Sequence, residues 1–170
     1  MPELILSGVD LVLETRRKLA VNGRLVREAP IDGDYNEQKA REKEFPNAKR
    51  RYVGPSRTYN CHGLTFAARR AEVHWDQVKV ILKHDDYVPV ARPKVRPGDI
   101  IVYFGETLGG LKAEPDHSGV VIDVLPFSAT KVLSKWGYGD EWIHSEGDCP
   151  YSKKYVEFFR ISDCPRNPAT

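Results

Sequence analysis

Two residues of this 170-residue chain have side chains that can act together as a nucleophile and a base, Cys61 and His117. Cys61 follows Asn60, a residue type that caps helices, and the apolar residues after it recur at helical spacing. We therefore expect Cys61 in the first turn of a helix. Unpaired N–H groups and the helix dipole stabilise a thiolate at such a position and lower its pKa. His117 begins a stretch rich in β-branched residues, 118–124, that predicts a strand. A helix-borne cysteine facing a strand-borne histidine is the arrangement that nucleophilic catalysis by a thiolate requires.

The neighbours of Cys61 are candidates for binding a substrate. Gly63 has no side chain to obstruct a carbonyl group that approaches the helix start, and the backbone N–H of Cys61 is placed to help hold an oxyanion. His62 points away from Cys61 on a regular helix, so we expect it to line a pocket wall or to cap the helix. We assign Asn60, His62 and Gly63 to the oxyanion or substrate-binding side of the site.

Three segments resemble the NlpC-type cysteine peptidases and the related CHAP amidases. Asn60-Cys-His-Gly-Leu64 resembles their Asp-Cys-Ser-Gly motif at a helix start. Pro97-Gly-Asp-Ile-Ile-Val-Tyr-Phe104 and Asp116-His-Ser-Gly-Val-Val-Ile122 resemble their Gly-Asp-Leu-Val-Phe-Phe and His-Val-Gly-Ile-Tyr strands. The resemblance implies a papain-like fold, hydrolysis of amide bonds, and Cys61 and His117 as nucleophile and base. His62 replaces the family's usual serine, and the insertion before His117 is longer than is typical.

A third residue should accept a hydrogen bond from His117 and orient its ring. If the turn at 126–129 joins two antiparallel strands, the simplest register places Val121 opposite Ser134, on the face of His117. His144, on the next predicted strand, is the better chemical match to the histidine that the NlpC-type and CHAP families use as a third residue. His144 is favoured for this role, and Ser134 stays the alternative. Tyr52 is similar to a tyrosine that these peptidases place upstream of the cysteine, where its hydroxyl assists the oxyanion.

The elements that must position these residues predict an α+β domain. The Asn22-Gly23 pair favours a tight hairpin, and a charged helix should follow from Glu37 until Phe45-Pro46 stops it. The helix of Cys61 is expected to reach Ala71, and a second helix to run from Trp75 to about Lys83. A surface loop is expected at 105–115. About five strands are predicted after the second helix: Ile100 to Phe104, His117 to Leu125, Lys131 to Trp136, Glu141 to Ser145 and Tyr155 to Ile161.

We expect a single domain of three parts. Residues 1–51 form an N-terminal hairpin and charged helix, residues 52–161 form the papain-like core in which the helix of Cys61 packs on the antiparallel sheet, and residues 162–170 form a tail. The 26 Lys and Arg residues nearly balance 24 Asp and Glu residues, so the charge predicts no nucleic-acid partner. The longest apolar stretch, 100–104, is far shorter than the roughly 20 residues of a membrane-spanning helix.

Cysteine usage and the amino terminus indicate the compartment. The chain has three cysteines, Cys61, Cys149 and Cys164. A count this small and odd argues against a disulfide framework and suits a reducing cytoplasm. The start Met1-Pro2-Glu3 lacks the basic segment of a secretory signal. We therefore expect a cytoplasmic protein, or one delivered by machinery that uses no cleavable signal.

Three functional hypotheses remain. The first is a cysteine hydrolase without cofactor or metal that cleaves a peptide or peptidoglycan-like amide, or passes the acyl group to another acceptor. The second is a papain-like module that binds a partner without catalysis. The third is a metal-binding protein, although no short paired ligand spacing such as Cys-x-x-Cys occurs. Its ligands would come from this set: Cys61, His62, His117, His144 and Cys149.

Overall fold

The computed structural model describes residues 9–15, 18–25, 32–51, 56–125 and 129–162. Within these ranges, three α-helices and ten strands follow one another in this order, with a short 3-10 helix at Arg92–Lys94: β1 (Val9–Glu14), β2 (Ala20–Leu25), α1 (Asp32–Glu44), β3 (Lys49–Arg51), α2 (Cys61–Phe66), β4 (Glu72–Val73), α3 (Trp75–His84), β5 (Tyr87–Val90), β6 (Ile100–Glu106), β7 (Lys112–Val124), β8 (Thr130–Lys135), β9 (Glu141–Ser145) and β10 (Tyr155–Ile161). One sheet has the order β1-β2-β4 and the other β3-β9-β8-β7-β6-β10-β5. Each strand pairing is antiparallel, which confirms the predicted α+β class.

The larger sheet has seven strands, and the prediction of about five was wrong. The five predicted strands form its centre, and β3 and β5 are added at its two edges. Both edge strands lack the usual strand signature, because β3 is Lys-Arg-Arg and β5 contains Pro89. Charged residues and proline are tolerated at an edge, where one side of the strand makes no ladder hydrogen bonds.

The N-terminal hairpin exists, but its turn is not at Asn22-Gly23. Those residues lie inside β2, where Gly23 pairs with Leu11 on one side and Val73 of β4 on the other. The turn lies between Glu14 and Ala20, where the Thr15 N–H donates to the carbonyl of Leu19 over 2.9 Å. Pairing the full length of both strands outweighs the local turn preference of Asn-Gly.

The three helices follow their sequence signals to different extents. α1 ends before Phe45-Pro46 and α3 buries Val78, Ile81 and Leu82, as predicted. α2 ends much earlier than expected, because Ala68 and Arg69 adopt φ angles of 47° and 64° that a right-handed helix cannot accommodate. The chain therefore turns back at this point and enters β4.

The predicted loop at 105–115 is largely strand. β6 and β7 stay paired as far as Glu106 and Lys112, and only the residues between them form the turn. The prediction was wrong because the segment carries few β-branched residues, while its pairing continues from the buried part of the same two strands. A bulge between Tyr103 and Phe104 accommodates the irregular register.

The seven-stranded sheet is buried on both faces, and neighbouring residues of β6 and β7 serve opposite faces. One face carries Ile100, Val102 and Phe104 and packs against Val78 and Leu82 of α3. The opposite face holds a second core, whose members include Ile101, Tyr103, Val121, Val132, Trp136 and Trp142. Because Tyr103 pairs with His117 and Val102 with Ser118, the strand places His117 and Ser118 on different faces.

The N-terminal part packs into the same fold. Gln38 of α1 is 1% exposed, and its Oε1 accepts hydrogen bonds from the Asp140 N–H and the Trp142 Nε1–H, each over 3.2 Å. β3 also extends the larger sheet through its pairing with β9. No helix in the described ranges is long and apolar enough to cross a membrane.

Candidate active site

Asn60 defines the start of the helix that carries Cys61. Its Oδ1 accepts the N–H of Gly63 over 2.8 Å, which confirms the predicted N-cap, and also accepts the N–H of Val73 over 3.2 Å. Its Nδ2 donates to the carbonyl of Val73 over 2.9 Å. The Asn60 side chain therefore joins the helix start to β4, and its amide is held by these hydrogen bonds at the edge of the site.

Gly63 is required by a close approach of the chain to itself. A Cβ at this position would lie 2.0 Å from the carbonyl oxygen of Ala71, a separation that no side chain can adopt. The missing side chain thus makes room for the backbone of Ala71 where α2 turns back. The expectation that it leaves room for a substrate carbonyl was wrong for this reason.

Cys61 and His117 are brought to the same place without a hydrogen bond between them. The backbone of Ser118, the residue after His117, lies next to Cys61: its N–H favours the ionised form of the thiol, and its Oγ lies 3.5 Å from the Cys61 carbonyl oxygen. His117 is 0% exposed, and across the described part of the chain neither of its ring nitrogens has a hydrogen-bond partner. A fully buried imidazole with two unused nitrogens next to a thiol is a group available for proton transfer.

Both groups are uncharged in this conformation. Burial raises the pKa of Cys61 to about 12, against the smaller lowering effects of the Ser118 and His62 backbone amides. The predicted thiolate is therefore wrong for this state, because desolvation outweighs the dipole of a helix of only six residues. Burial also moves the pKa of His117 well below its ordinary value, and the nearby His144 and His62 act in the same direction.

The ring of His117 is stacked on Tyr151, a residue that the sequence analysis did not single out. The two ring centroids are 3.6 Å apart and the ring planes differ by 6°. Tyr103, the pairing partner of His117 on β6, also lies near, with centroids 5.4 Å apart. Tyr151 belongs to the irregular segment before β10, and no motif or periodicity relates it to His117.

His62 is buried and bound to the strand that carries His117. Its Nδ1 lies 2.9 Å from the Ser118 Oγ, and that hydroxyl also donates to Thr65 Oγ1 over 3.0 Å. Burial lowers the pKa of His62 to about 4. The expected pocket-wall residue is therefore an internal link that holds α2 against β7, on the face opposite to His117.

The candidates for the third residue lie on the face of His117, with a register different from the prediction. Val121 pairs with Val132, and Ser134 pairs with Gly119: the turn already pairs Thr130 with Val124 instead of Leu125, and a bulge between Val121 and Asp123 shifts the register by one residue more. A Cβ on Gly119 would lie 2.6 Å from Val132 Cγ1, which explains the glycine. Ser134 is thus closer to His117 along the sheet than the predicted pairing implies.

Ser134 and His144 hydrogen-bond each other instead of His117. Ser134 Oγ lies 2.8 Å from His144 Nε2 and accepts the Trp136 Nε1–H over 3.0 Å. His144 Nδ1 lies 2.7 Å from the carbonyl of Ser145, so this nitrogen carries the proton and Nε2 accepts from the Ser134 hydroxyl. Burial lowers the pKa of His144 to about 4.

The remaining candidates are placed as follows. Tyr52 and Cys164 lie outside the described residues. Cys149 is 0% exposed, and its sulfur contacts the carbonyl of Glu146 at 3.7 Å. Within the described ranges, no group of three or more His, Cys, Asp and Glu side chains is arranged to hold a metal ion.

Two cavities border residues adjacent to the candidate pair. One, of about 360 Å³, is lined by Asn60, which precedes Cys61, and by Arg24, Glu72, His74 and Tyr138 among others. The other, of about 290 Å³, is lined by Asp116, which precedes His117, together with Trp75 and Glu114 among others. His74 lines the first cavity and Trp75 lines the second. Their rings are neighbours, with centroids 5.2 Å apart.

Comparison of the chain with protein-family models, with curated proteins and with solved structures found no match.

Proposed function

We propose that this chain is a cysteine hydrolase with a papain-like arrangement, an amidase or peptidase in which Cys61 is the nucleophile and His117 the general base. The observation that supports it most is that Ser118, the residue after His117, lies against Cys61, while within the described residues neither ring nitrogen of the buried His117 has a hydrogen-bond partner. The α+β architecture, with a cysteine-bearing helix packed on an antiparallel sheet, is consistent with this proposal.

The reaction starts from a neutral pair, since burial favours the thiol of Cys61 and the unprotonated imidazole of His117. The thiol proton passes to His117 as the sulfur forms a bond with the amide carbonyl carbon. The imidazolium then gives this proton to the amine as the C–N bond breaks, leaving a thioester on Cys61. Water, activated by His117, cleaves the thioester and releases the acid. An amine or alcohol in place of water would make the protein an acyltransferase.

The Ser118 amide has a defined part in this scheme. Its N–H lies near the sulfur and stabilises the negative charge that develops there when the proton leaves, since it lowers the pKa of the thiol. The partly buried environment of Cys61 strengthens this interaction, because less water competes for the charge. An N–H that already faces the nucleophile needs no rearrangement as the reaction proceeds.

Two cavities, one bordering Asn60 and one bordering Asp116, lie beside the residues that precede the nucleophile and the base, and offer space for parts of a substrate. The larger cavity offers groups of both charges, including Arg24 and Glu72, as an amide-containing chain with polar substituents would require. The smaller one combines the indole of Trp75 with carboxylates. A peptide-like amide fits this pair of cavities better than a compact apolar ligand does.

The proposal is tested by acyl transfer from an activated ester, p-nitrophenyl acetate, with the modified residue identified by mass spectrometry. We expect an acetyl group on Cys61 and release of nitrophenol, with loss of about a hundredfold or more in rate for His117→Ala. His84→Ala, at a partly exposed histidine at the end of α3, and Cys149→Ser are matched controls that should retain the rate. An equal rate of acetylation in the His117→Ala variant would overturn the proposal.

The alternative of a papain-like module without catalysis is favoured by one observation, the complete burial of His117 together with the raised pKa of Cys61. Such a module would keep the packing of these residues and have no turnover. Failure of Cys61 to accept an acetyl group in the folded wild-type protein would favour this alternative.

A further inference from the structure

We propose that Tyr151 is the positioning residue of this site, which orients the imidazole of His117 by ring stacking instead of by a hydrogen bond. The inference rests on the proposed function, because it concerns the base of that reaction. It assigns a role to a side chain in the segment between β9 and β10, which no sequence motif indicates. It also explains how the ring can be fixed while both of its nitrogens stay unused.

The first step is that hydrogen bonds do not orient the ring. In the part of the chain that the structure describes, Nδ1 and Nε2 of His117 have no partner. Ser134 and His144 satisfy each other, and the second nitrogen of His144 is taken by the carbonyl of Ser145. Neither of the two expected orienting residues is therefore free to hold His117.

The second step is that a stack does fix the ring plane. The centroids of His117 and Tyr151 are 3.6 Å apart with planes 6° from parallel, which is closer and flatter than the 5.4 Å and 45° of the contact with Tyr103. A parallel neighbour at van der Waals distance prevents the imidazole from rotating out of its plane. The nitrogens lie in that plane, so stacking leaves them open for a proton.

The third step is that Tyr151 is itself anchored. Its hydroxyl accepts the N–H of Gly137 over 3.2 Å, in the turn between β8 and β9. Its ring packs against the core cluster that contains Trp136 and Cys149. The position of the Tyr151 ring is thus determined by contacts with the same sheet that carries His117.

The stack also has an electrostatic effect on the reaction. When His117 takes the thiol proton, the imidazolium lies over the electron-rich face of the Tyr151 ring, which attracts a cation. The neutral resting imidazole gains less from the same contact. Tyr151 therefore favours the state that follows proton transfer, in addition to holding the ring in place.

The experiment compares Tyr151→Phe, which keeps the ring, with Tyr151→Leu, which removes it. The first readout is the NMR spectrum of the His117 ring in the full-length protein, which needs no activity. We expect a single sharp set of ring signals in wild type and Tyr151→Phe, and exchange-broadened or multiple signals in Tyr151→Leu. The second readout is the rate of Cys61 acetylation, with Tyr151→Phe within about a factor of two of wild type and Tyr151→Leu slower by about tenfold to a hundredfold.

Phe45→Leu is the matched control for a general loosening of the core, since Phe45 packs edge-on against Trp136 with centroids 5.2 Å apart. The inference is overturned if Tyr151→Leu keeps a single ring orientation, if Tyr151→Phe loses as much rate as Tyr151→Leu, or if Phe45→Leu loses as much rate as Tyr151→Leu. If wild type does not acetylate at Cys61, the proposed function fails, and the NMR comparison still decides the role of Tyr151.

Discussion

The hydroxyl of Ser134 and the Nε2 of His144 lie 2.8 Å apart, so the two alternatives for the third catalytic residue are partners in one hydrogen bond. Trp136 donates to the same hydroxyl, and the three side chains form a buried network beneath His117. Buried polar groups that satisfy one another stabilise a core, and each becomes costly when a partner is removed. We therefore interpret this pair as structural support of the sheet.

Replacing Ser134 with alanine tests that interpretation. The change leaves His144 Nε2 and Trp136 Nε1 buried without a partner, and we expect a loss of about 1–3 kcal/mol in the free energy of unfolding. Urea denaturation measures it, with Ser145→Ala as control, because Ser145 binds His144 through its backbone. Cys61 acetylation per folded molecule should stay unchanged. A large fall in that rate without destabilisation would return Ser134 to the catalytic machinery.

The Gly63→Ala substitution should disrupt the turn that follows α2. The added Cβ would stand 2.0 Å from the Ala71 carbonyl oxygen, so the backbone must shift at the position that joins α2 to β4. We expect destabilisation of about 2 kcal/mol or more in a thermal or urea melt. Gly147→Ala is the matched control, because a Cβ at Gly147 has no atom within 4 Å. Equal stability of the two variants would show that the backbone at residue 63 and the Ala71 carbonyl can move apart at little cost in free energy.

Stability should fall as the pH is lowered from about 6.5 towards 4. Burial lowers the pKa of His62 and of His144 to about 4 in the folded state, while in the unfolded chain a histidine titrates near 6.5. Above pH 6.5 neither state binds a proton. Between these values the unfolded state binds more protons, so each histidine reduces the free energy of unfolding by about 1.4 kcal/mol per pH unit.

The pH prediction is measured by urea midpoints at pH 7.5, 6 and 5. His144→Gln removes one of the titrating groups, so its slope with pH should be shallower than that of wild type, whatever its stability at pH 7.5. Identical slopes for both proteins would contradict the burial of a neutral His144. Ser145→Ala, next to His144 in the chain, removes no titrating group and is the control that should leave the slope unchanged.

Glu141 joins the two ends of the segment that contains α2. Its buried carboxylate accepts the Tyr59 hydroxyl over 2.8 Å and the guanidinium of Arg69, one residue on each side of the helix. Burial alone would raise the pKa of Glu141, but the hydrogen bonds from Arg69 and Tyr59 lower it overall.

We expect Glu141→Gln to reduce the free energy of unfolding by about 1–3 kcal/mol. The exposed Glu44→Gln, in the i,i+3 pair with Arg41, should cost less than about 0.5 kcal/mol. Urea denaturation measures the free energy of unfolding of both variants. Equal losses in the two would contradict the role of Glu141 in joining Tyr59 to Arg69.

The sequence alone was sufficient where the signal is local. The apolar spacing of α3, the cap at Asn60 and the five central strands depend on residues a few positions apart, and each was predictable from periodicity and side-chain type. The nearness of Cys61 and His117, which are far apart in the chain, was expected from the order of the helix and the strand and from the resemblance to cysteine peptidases, not from a local signal.

Only the tertiary structure decided the register of β7 and β8, the charged and proline-containing edge strands, and the true turn of the N-terminal hairpin. It also decided the protonation of the site, because the pKa of Cys61 depends on how densely distant parts of the chain pack around the thiol. The stack of Tyr151 on His117 is of the same kind. Residues far apart in the chain acquire these relations through burial and pairing, which no local pattern of residue types encodes.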